Sequence, residues 1–186
     1  MILLVDPGFR EGSLGHDEFV CPIAGIVERA GLPWAYQHYT ALNEDELRDA
    51  AGIIICGTAL KDNAFLENLE RFSWLRNARV PVLGVCAGMQ VLCLAFGGSV
   101  RPGCEIGMTS IRITVPHQIL PDPPSFMAYE LHTHSCVPPH GWEILAESEI
   151  CIQAIRDPEG PFFGVLFHPE VRNDRVVKSF LELCEG

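Results

Sequence analysis

The chain has 186 residues, of which 48% are hydrophobic, and carries a formal net charge of −11 at pH 7. This length and apolar content predict a single domain spanning residues 1–186 and exclude a fibrous or disordered chain. The negative charge disfavours nucleic acid and anionic membranes as partners, because both would repel the protein. No apolar run is long enough for a membrane span or a secretory leader, and the eight cysteines lack the close pairing of a disulfide scaffold. We therefore expect free thiols and a reducing cytoplasmic location.

Apolar runs and helical patterns alternate through the first half of the chain, which is typical of an α/β fold. Strands are predicted at residues 2–5, 34–39, 53–56 and 82–85. Helices are predicted at residues 19–30, 63–77 and 87–96. A further short helix is predicted to begin at a capping-box-like pair, Asn43 and Glu46. Crossover helices between successive strands predict a three-layer, mainly parallel open sheet of flavodoxin-like type. Its carboxyl edge, where such sheets bind ligands, would bring together Asp6, Gly57 and Cys86.

The pattern changes in the second half of the chain. From residue 110 to residue 167, short β-rich runs are interrupted by prolines and show little helical periodicity. These runs predict an additional antiparallel β region beside the parallel sheet. A final amphipathic helix is predicted over residues 174–184.

The most informative stretch reads GVCAGMQ, over residues 84–90. A thiol between two glycines, after a strand and before a helix, is the pattern of a nucleophile elbow. The glycines let the backbone bend sharply, and the free N–H groups of the following helix favour the thiolate. A buried structural cysteine would gain nothing from those glycines. We therefore predict Cys86 as a nucleophile and expect the remaining cysteines to be structural and buried: Cys21, Cys56, Cys93, Cys104, Cys136, Cys151 and Cys184.

A second stretch reads GVLFHPE, over residues 164–170, and its apolar run ends in His168. A strand that stops there would present the imidazole at the sheet edge, and Pro169 would fix a turn that lets Glu170 reach back to the ring. An imidazole oriented by a carboxylate and placed near a thiol is the base-and-orienter arrangement of a catalytic triad. A lone histidine before proline would more often lie on the surface, so the hypothesis depends on the combination with Cys86.

The two motifs together resemble those of the class I, or triad-type, glutamine amidotransferases. Similarity to the stand-alone amidotransferase subunits of GMP synthase continues through residues 94–107 and 132–146, and it covers the chain from about residue 52 onwards. The resemblance implies that Cys86 is the nucleophile, His168 the general base and acid, and Glu170 the residue that orients His168. It also implies an oxyanion hole at the backbone of Thr58 and Ala87, and glutamine-binding positions at Gly57, Gln90, His134 and Ser135.

One loop departs from the family pattern, because Thr58 stands where these proteins usually have the second glycine of a pair. A positive φ at that position would strain a β-branched residue, so the loop is expected to be altered or to be reorganised by an activating partner. The segment 7–19, with its glycines and His16, also differs from the usual short turn and has no predicted role.

The resemblance implies a glutaminase reaction. Cys86 would attack the side-chain amide of L-glutamine to form a thioester, ammonia would leave, and water would release glutamate. No cofactor is implied, and no metal is expected, since His132 and His134 lack further ligands at a usual zinc spacing.

Nothing that could be an ammonia-using domain follows Glu170, so the acceptor is expected to be a separate ATP-dependent synthetase subunit. GMP synthase is favoured, while anthranilate, aminodeoxychorismate and imidazole glycerol phosphate synthases remain possible. Two alternatives stay open: a ThiJ-type thiol hydrolase or stress protein, which has the cysteine elbow but lacks the His-Pro-Glu unit, and a catalytically silent, partner-binding relative.

Overall fold

Nine strands form one mixed sheet in the computed structural model, which describes residues 1–185. In chain order the strands are β1 Ile2–Asp6, β2 Trp34–His38, β3 Gly52–Ile55, β4 Val82–Val85, β5 Ser99–Ile113, β6 Ser125–Val137, β7 Glu143–Glu147, β8 Ile152–Arg156 and β9 Phe162–Val165. Their order across the sheet is β2-β1-β3-β4-β9-β8-β7-β5-β6. The first five of these are parallel and the remaining pairings are antiparallel. The predicted α/β fold with an added antiparallel region is confirmed.

The parallel strands β1, β3, β4 and β9 are short, mostly apolar and buried on both faces, as expected where helices cover the two sides of a sheet, whereas the edge strand β2 is only partly buried. Alternate side chains enter separate cores. Ile2, Leu4 and Ile54 belong to one cluster, while Leu3 and Ile53 belong to the other. The register is set by this alternation, since a shift of one residue would exchange the two sets of side chains.

Four α-helices accompany the sheet: α1 Cys21–Arg29, α2 Glu44–Asp49, α3 Ala87–Ala95 and α4 Arg175–Cys184. A π-helical turn, His16–Val20, runs directly into α1, so the helical segment begins before the predicted residue 19. Asn43 caps α2 by accepting a hydrogen bond from the N–H of Asp45 at 2.8 Å. The reciprocal half of the predicted capping box is absent, because the carboxylate of Glu46 accepts from Gln37 instead.

The predicted regular helix at residues 63–77 is wrong in type. Ala64–Asn77 is 3₁₀-helical, and Asn68 interrupts it with non-helical angles of φ −129° and ψ 37°. The side-chain amide of Asn68 donates to the carbonyl of Ala64 at 2.8 Å, and such a local bond competes with regular helical hydrogen bonding. The apolar periodicity is still used, because Phe65 and Phe72 are both buried.

Two strand boundaries also differ from the prediction. The antiparallel region begins at Ser99, directly after α3, and not at residue 110. Its first part is hidden in the sequence because Pro102 lies where the register between β5 and β6 shifts, and proline is tolerated at such irregularities. β9 ends at Val165, before the predicted His168, and the chain then leaves the sheet so that the N–H of His168 donates to the carbonyl of Tyr129.

All eight cysteines are free thiols. Cys21 and Cys104 are exposed and Cys184 is half-buried, so the expectation that every non-catalytic cysteine is buried is wrong for these three. Within residues 1–185, helices that combine the length and apolar character needed to cross a bilayer are absent.

Candidate active site

Cys86 lies on the turn between β4 and α3 and has an unusual backbone conformation, with φ 49° and ψ −102°. Its N–H donates to the carbonyl of Val165 at 2.8 Å, which ties the turn to β9. Non-glycine residues rarely adopt positive φ, and such strain tends to persist at functional positions. The local geometry is that of a nucleophile elbow, with Cys86 4% exposed.

The glycines on either side of Cys86 are required by close backbone contacts. A side chain at Gly84 would collide with the carbonyl of Gly88, one turn further on. A side chain at Gly88 would in turn collide with the carbonyl of Ile55 in β3. The first turn of α3 is therefore packed directly against two strands, and only glycine allows that approach.

His168 and Glu170 form a buried pair. Nδ1 of His168 lies 2.7 Å from Oε1 of Glu170, and both side chains are only 1% exposed. Nε2, the other ring nitrogen, is buried without a hydrogen-bond partner. Burial by itself lowers the pKa of this imidazole, but the neighbouring Cys86 and Glu170 together hold the pKa well above its usual value. The pair thus favours an imidazolium beside the thiol, which is the charge state that activates a cysteine nucleophile.

The segment 7–19, which had no predicted role, ends on the histidine ring. Phe19 packs against His168 with ring centroids 5.5 Å apart. Gly57 is close as well, since a Cβ at that position would lie 2.8 Å from Cε1 of His168. Phe19 and Gly57 therefore restrict how the imidazole can tilt. Phe19 was missed in the sequence because nothing local relates it to His168.

A narrow cleft contains Cys86, and Thr58, Ala87, Gln90 and residues 131–134 line it. Sγ of Cys86 donates to the carbonyl of Leu131 at 3.9 Å. The free volume beside the thiol is about 20 Å³, which is roughly the space of one water molecule. A larger cavity of about 790 Å³ lies beside the cleft and shares Thr58 with it, but Cys86 does not line it.

The structure brings most of the predicted substrate-binding positions together. Gln90 and His134 line the cleft with Cys86, and Gly57 lies against His168. Ser135 does not line the cleft. It is buried next to Gly103, where an added Cβ would lie 2.7 Å from the Cβ of Ser135.

The loop that carries the predicted oxyanion donor is unstrained. Within residues 1–185, positive φ at a non-glycine residue occurs at Cys86 and Asn173 alone, so Thr58 keeps an ordinary backbone conformation. Its hydroxyl donates to the carbonyl of Asp62 at 3.0 Å and thereby holds the loop closed on itself. The replacement of glycine by threonine is thus compatible with this loop conformation.

Two groups of side chains could in principle hold a metal ion. One consists of Glu105, His132 and Cys151, and the other of His16, Asp17 and Cys21. In each group the candidate ligand atoms lie within 4.8 Å of one another. The first group is buried behind the cleft, whereas Asp17 and Cys21 of the second are exposed.

Comparison with known proteins gives the family. The family model described as "Glutamine amidotransferase class-I" matches residues 23–184. The glutamine-hydrolysing GMP synthase subunit of Methanothrix thermoacetophila is 34% identical over 152 residues, which cover 76% of this chain and 82% of the relative. The corresponding GMP synthase subunit of Pyrococcus abyssi is 32% identical, over 78% of this chain and 81% of that relative.

Solved structures share the fold. A Thermoplasma acidophilum protein named for the same GMP synthase subunit superposes with a TM-score of 0.87 at 23% identity, covering 99% of this chain and 93% of that one. A glutamine amidotransferase from Thermotoga maritima has a TM-score of 0.73 at 20% identity, covering 98% and 81%.

The ThiJ-type alternative is not favoured by these matches. The matched segment contains both the strained thiol turn and the buried histidine–glutamate pair, which come from parts of the chain about eighty residues apart. The resemblance inferred from those two motifs is confirmed, and this chain belongs to the class-I glutamine amidotransferase family.

Proposed function

We propose that the chain is the glutamine-hydrolysing component of a two-subunit GMP synthase and supplies ammonia to a separate ATP-dependent synthetase. The glutaminase proposal depends on one observation, the buried pair of His168 and Glu170 next to the strained turn at Cys86. Nε2 of the His168 ring has no hydrogen-bond partner there. The GMP synthase assignment is supported by the names of the relatives, which this chain matches over about three quarters of its length. The free cysteines support a reducing, cytoplasmic location.

In the proposed reaction, the Cys86 thiolate attacks the side-chain carbonyl carbon of glutamine. The carbonyl oxygen takes up negative charge, and the N–H groups of Ala87 and Thr58 stabilise it. The N–H of Ala87 suits this role because it belongs to the first turn of α3, where backbone donors lack partners within the helix.

The tetrahedral intermediate then collapses as the C–N bond breaks. His168 gives its Nε2 proton to the leaving nitrogen, so ammonia departs and a thioester remains on Cys86. Water attacks the thioester with His168 as the base, which regenerates the thiolate–imidazolium pair and releases glutamate. Glu170 holds the ring in place through Nδ1 and stabilises its positive charge throughout.

The small volume of the cleft supports control by the partner. The free volume beside Cys86 is about 20 Å³, much less than a glutamine side chain occupies, and widening of the cleft near Thr58 or residues 131–134 would favour substrate entry. We expect low glutaminase activity from the isolated chain and higher activity when the synthetase binds, because binding energy can favour the open cleft.

The test combines covalent labelling with turnover. The chain is incubated with an electrophilic glutamine analogue, alone and with the ATP-dependent synthetase of a GMP synthase, and the adduct is located by mass spectrometry. We expect labelling of Cys86, faster with the partner, and glutamine-dependent formation of GMP by the mixture. A Cys93→Ala variant is the matched control, since Cys93 is a buried thiol on the same helix that should remain unlabelled.

Two outcomes would contradict the proposal at different points. No labelling of Cys86, even with the partner and ATP, would indicate the catalytically silent relative. The other outcome is that Cys86 is labelled and glutamine is hydrolysed, but the synthetase neither stimulates hydrolysis nor forms GMP with the chain. That result would retain the glutaminase activity and reject the assignment to GMP synthase.

A further inference from the structure

Two carboxylates and an imidazole are buried together behind the cleft. Nε2 of His132 lies 3.2 Å from Oε2 of Glu130 and 3.5 Å from Oε2 of Glu105. The side chains of His132 and Glu130 are 1% and 0% exposed, and that of Glu105 is 8% exposed. Both carboxylate oxygens of Glu130 lack a hydrogen-bond partner, as does Nε2 of His132. Ionised side chains are rarely buried in this way unless an oppositely charged group lies next to them.

Hydrogen bonds tie this cluster to its surroundings. Nδ1 of His132 lies 3.0 Å from the carbonyl of Gly103, which can only accept, so Nδ1 carries a hydrogen. Glu105 accepts from Gln153 at 2.7 Å and from Ser148 at 3.0 Å. Burial raises the pKa of Glu130, although His132 opposes the shift. The imidazole of His132 is therefore held on one side by β5 and lies with Nε2 within 3.5 Å of both carboxylates.

Strand β6 connects this cluster to the catalytic residues. Tyr129 and Leu131 contact the site through their carbonyls, which accept from the N–H of His168 and from the thiol of Cys86. Glu130 and His132 alternate with them along the strand, and their side chains are buried in the cluster. The cluster residues of β6 are thus interleaved with the residues whose carbonyls contact Cys86 and His168.

We propose that Glu105, Glu130 and His132 form a buried cluster that fixes β6 against the catalytic cleft, with His132 as a positioning residue for glutamine binding. The inference rests on the proposed glutaminase function. His132 joins three points: the carbonyl of Gly103 in β5, the carboxylate of Glu105 in β5 and the carboxylate of Glu130 in β6. Its loss would free the backbone of residues 131–134 to shift relative to Cys86, and displacements of about 1 Å reduce productive substrate binding.

A metal ion is the competing occupant of this place, because Glu105, His132 and Cys151 have suitable ligand atoms close together. Oε2 of Glu105, the oxygen nearest His132, already accepts hydrogen bonds from Gln153 and Ser148. These bonds favour direct contacts between the side chains over a metal ion at this place.

The experiment compares three substitutions by steady-state glutaminase kinetics in the presence of the synthetase. His132→Asn keeps a donor for Gly103 but removes the atom between the carboxylates, and it should raise the KM for glutamine at least tenfold with less than a threefold change in kcat. Glu130→Gln supplies a neutral donor in the same shape and should stay within threefold of the wild-type KM. Met127→Gln, an exposed change on the same strand, is the matched control and should leave KM unchanged.

A second readout separates positioning from general damage to the site. Alkylation of Cys86 by iodoacetamide should stay within threefold of the wild-type rate in His132→Asn, because Cys86, His168 and Glu170 are all retained, while labelling by a glutamine-shaped chloroketone should slow at least tenfold. If His132→Asn does not fold, Glu105→Gln tests the same cluster through its more exposed member, and a threefold to tenfold rise in KM is expected.

The outcomes that overturn the inference are distinct from those that overturn the proposed function. An unchanged KM in both His132→Asn and Glu105→Gln, beside an active wild type, rejects the positioning role alone. Stoichiometric zinc in the purified chain, lost in Cys151→Ser, rejects the metal-free cluster in favour of a metal centre. Absence of glutamine hydrolysis by the wild type with its partner rejects the proposed function itself.

Discussion

Replacing Glu170 by glutamine is the sharpest test of the catalytic pair. The substitution keeps the shape of the side chain and removes its charge from a position 2.7 Å from Nδ1 of His168, where both side chains are only 1% exposed. The amide oxygen can still accept from Nδ1, so the ring keeps an orienting partner. What is lost is the negative charge that stabilises the imidazolium beside the Cys86 thiolate.

The size of the effect follows from the type of hydrogen bond. A hydrogen bond to a charged group contributes about 1.5–3 kcal/mol, against about 0.5–1.5 kcal/mol for a neutral one. The difference of about 1–2 kcal/mol corresponds to a reduction in kcat of about 5-fold to 30-fold. His168→Ala removes the base altogether and should cost at least about 10³-fold.

Folding stability should respond differently from activity. The second oxygen of Glu170, Oε2, is buried without a hydrogen-bond partner, so removing the charge also removes part of a desolvation penalty. We expect the free energy of unfolding of Glu170→Gln to change by less than about 1 kcal/mol, because the weaker hydrogen bond to His168 and the smaller desolvation penalty act in opposite directions. The measurements are kcat for glutamine hydrolysis in the presence of the synthetase and urea unfolding of the same preparations. A loss of kcat below twofold, or equal losses in Glu170→Gln and His168→Ala, would refute the assigned role of the carboxylate.

Three further perturbations test the geometry around Cys86. Burial disfavours the charged form of His168, but Cys86 and Glu170 raise its pKa well above the usual value. The charged imidazole therefore stabilises the fold fully below about pH 6.5, and this stabilisation is lost as the pH rises through the pKa of His168 in the folded state. Cys86→Ala should lower the pKa of His168 in an NMR titration and shift that loss of stability to lower pH, and an unchanged titration would contradict the proximity of the two groups. Gly57→Ala places a methyl group 2.8 Å from Cε1 of His168, and kcat/KM should fall at least about tenfold because the ring must tilt; wild-type kinetics would show that this contact is not maintained in solution. Cys86→Gly relieves the positive φ of 49° and should be at least as stable as Cys86→Ala, since strain of about 1–3 kcal/mol offsets the usual cost of glycine. Urea unfolding that finds Cys86→Gly less stable by about 2 kcal/mol would argue against strain at the elbow.

The parts of the site that could be predicted from the sequence depend on contacts between residues close along the chain. Gly84 and Gly88 flank Cys86 by two residues on either side, and their spacing reflects a tight turn that can be recognised locally. His168 and Glu170 are two residues apart, so their pairing needs only the turn at Pro169. The parallel strands were recognisable for the same kind of reason, since burial on both faces leaves short, continuous apolar runs.

Other features depend on how distant segments pack. The helical pattern at residues 64–77 is 3₁₀-helical because the amide of Asn68 bonds to a nearby carbonyl, a competition that apolar periodicity cannot reveal. Phe19 reaches His168 only because the π-helical turn before α1 lies over the carboxyl edge of the sheet. The volume of the cleft likewise results from side chains that approach from β6 and from the loop at Thr58.

The clearest division lies between the thiol turn and the cluster behind it. The amino-acid sequence by itself indicated the sharp turn at Cys86 and the pairing of His168 with Glu170, because glycine spacing and a two-residue separation are local physical constraints. The tertiary structure alone decided that Glu105 faces His132, since this depends on the register shift between β5 and β6 after Pro102. A displacement of one residue in that register would turn His132 and Glu130 from the buried face to the opposite one, and only the packing of the complete sheet selects between the two arrangements.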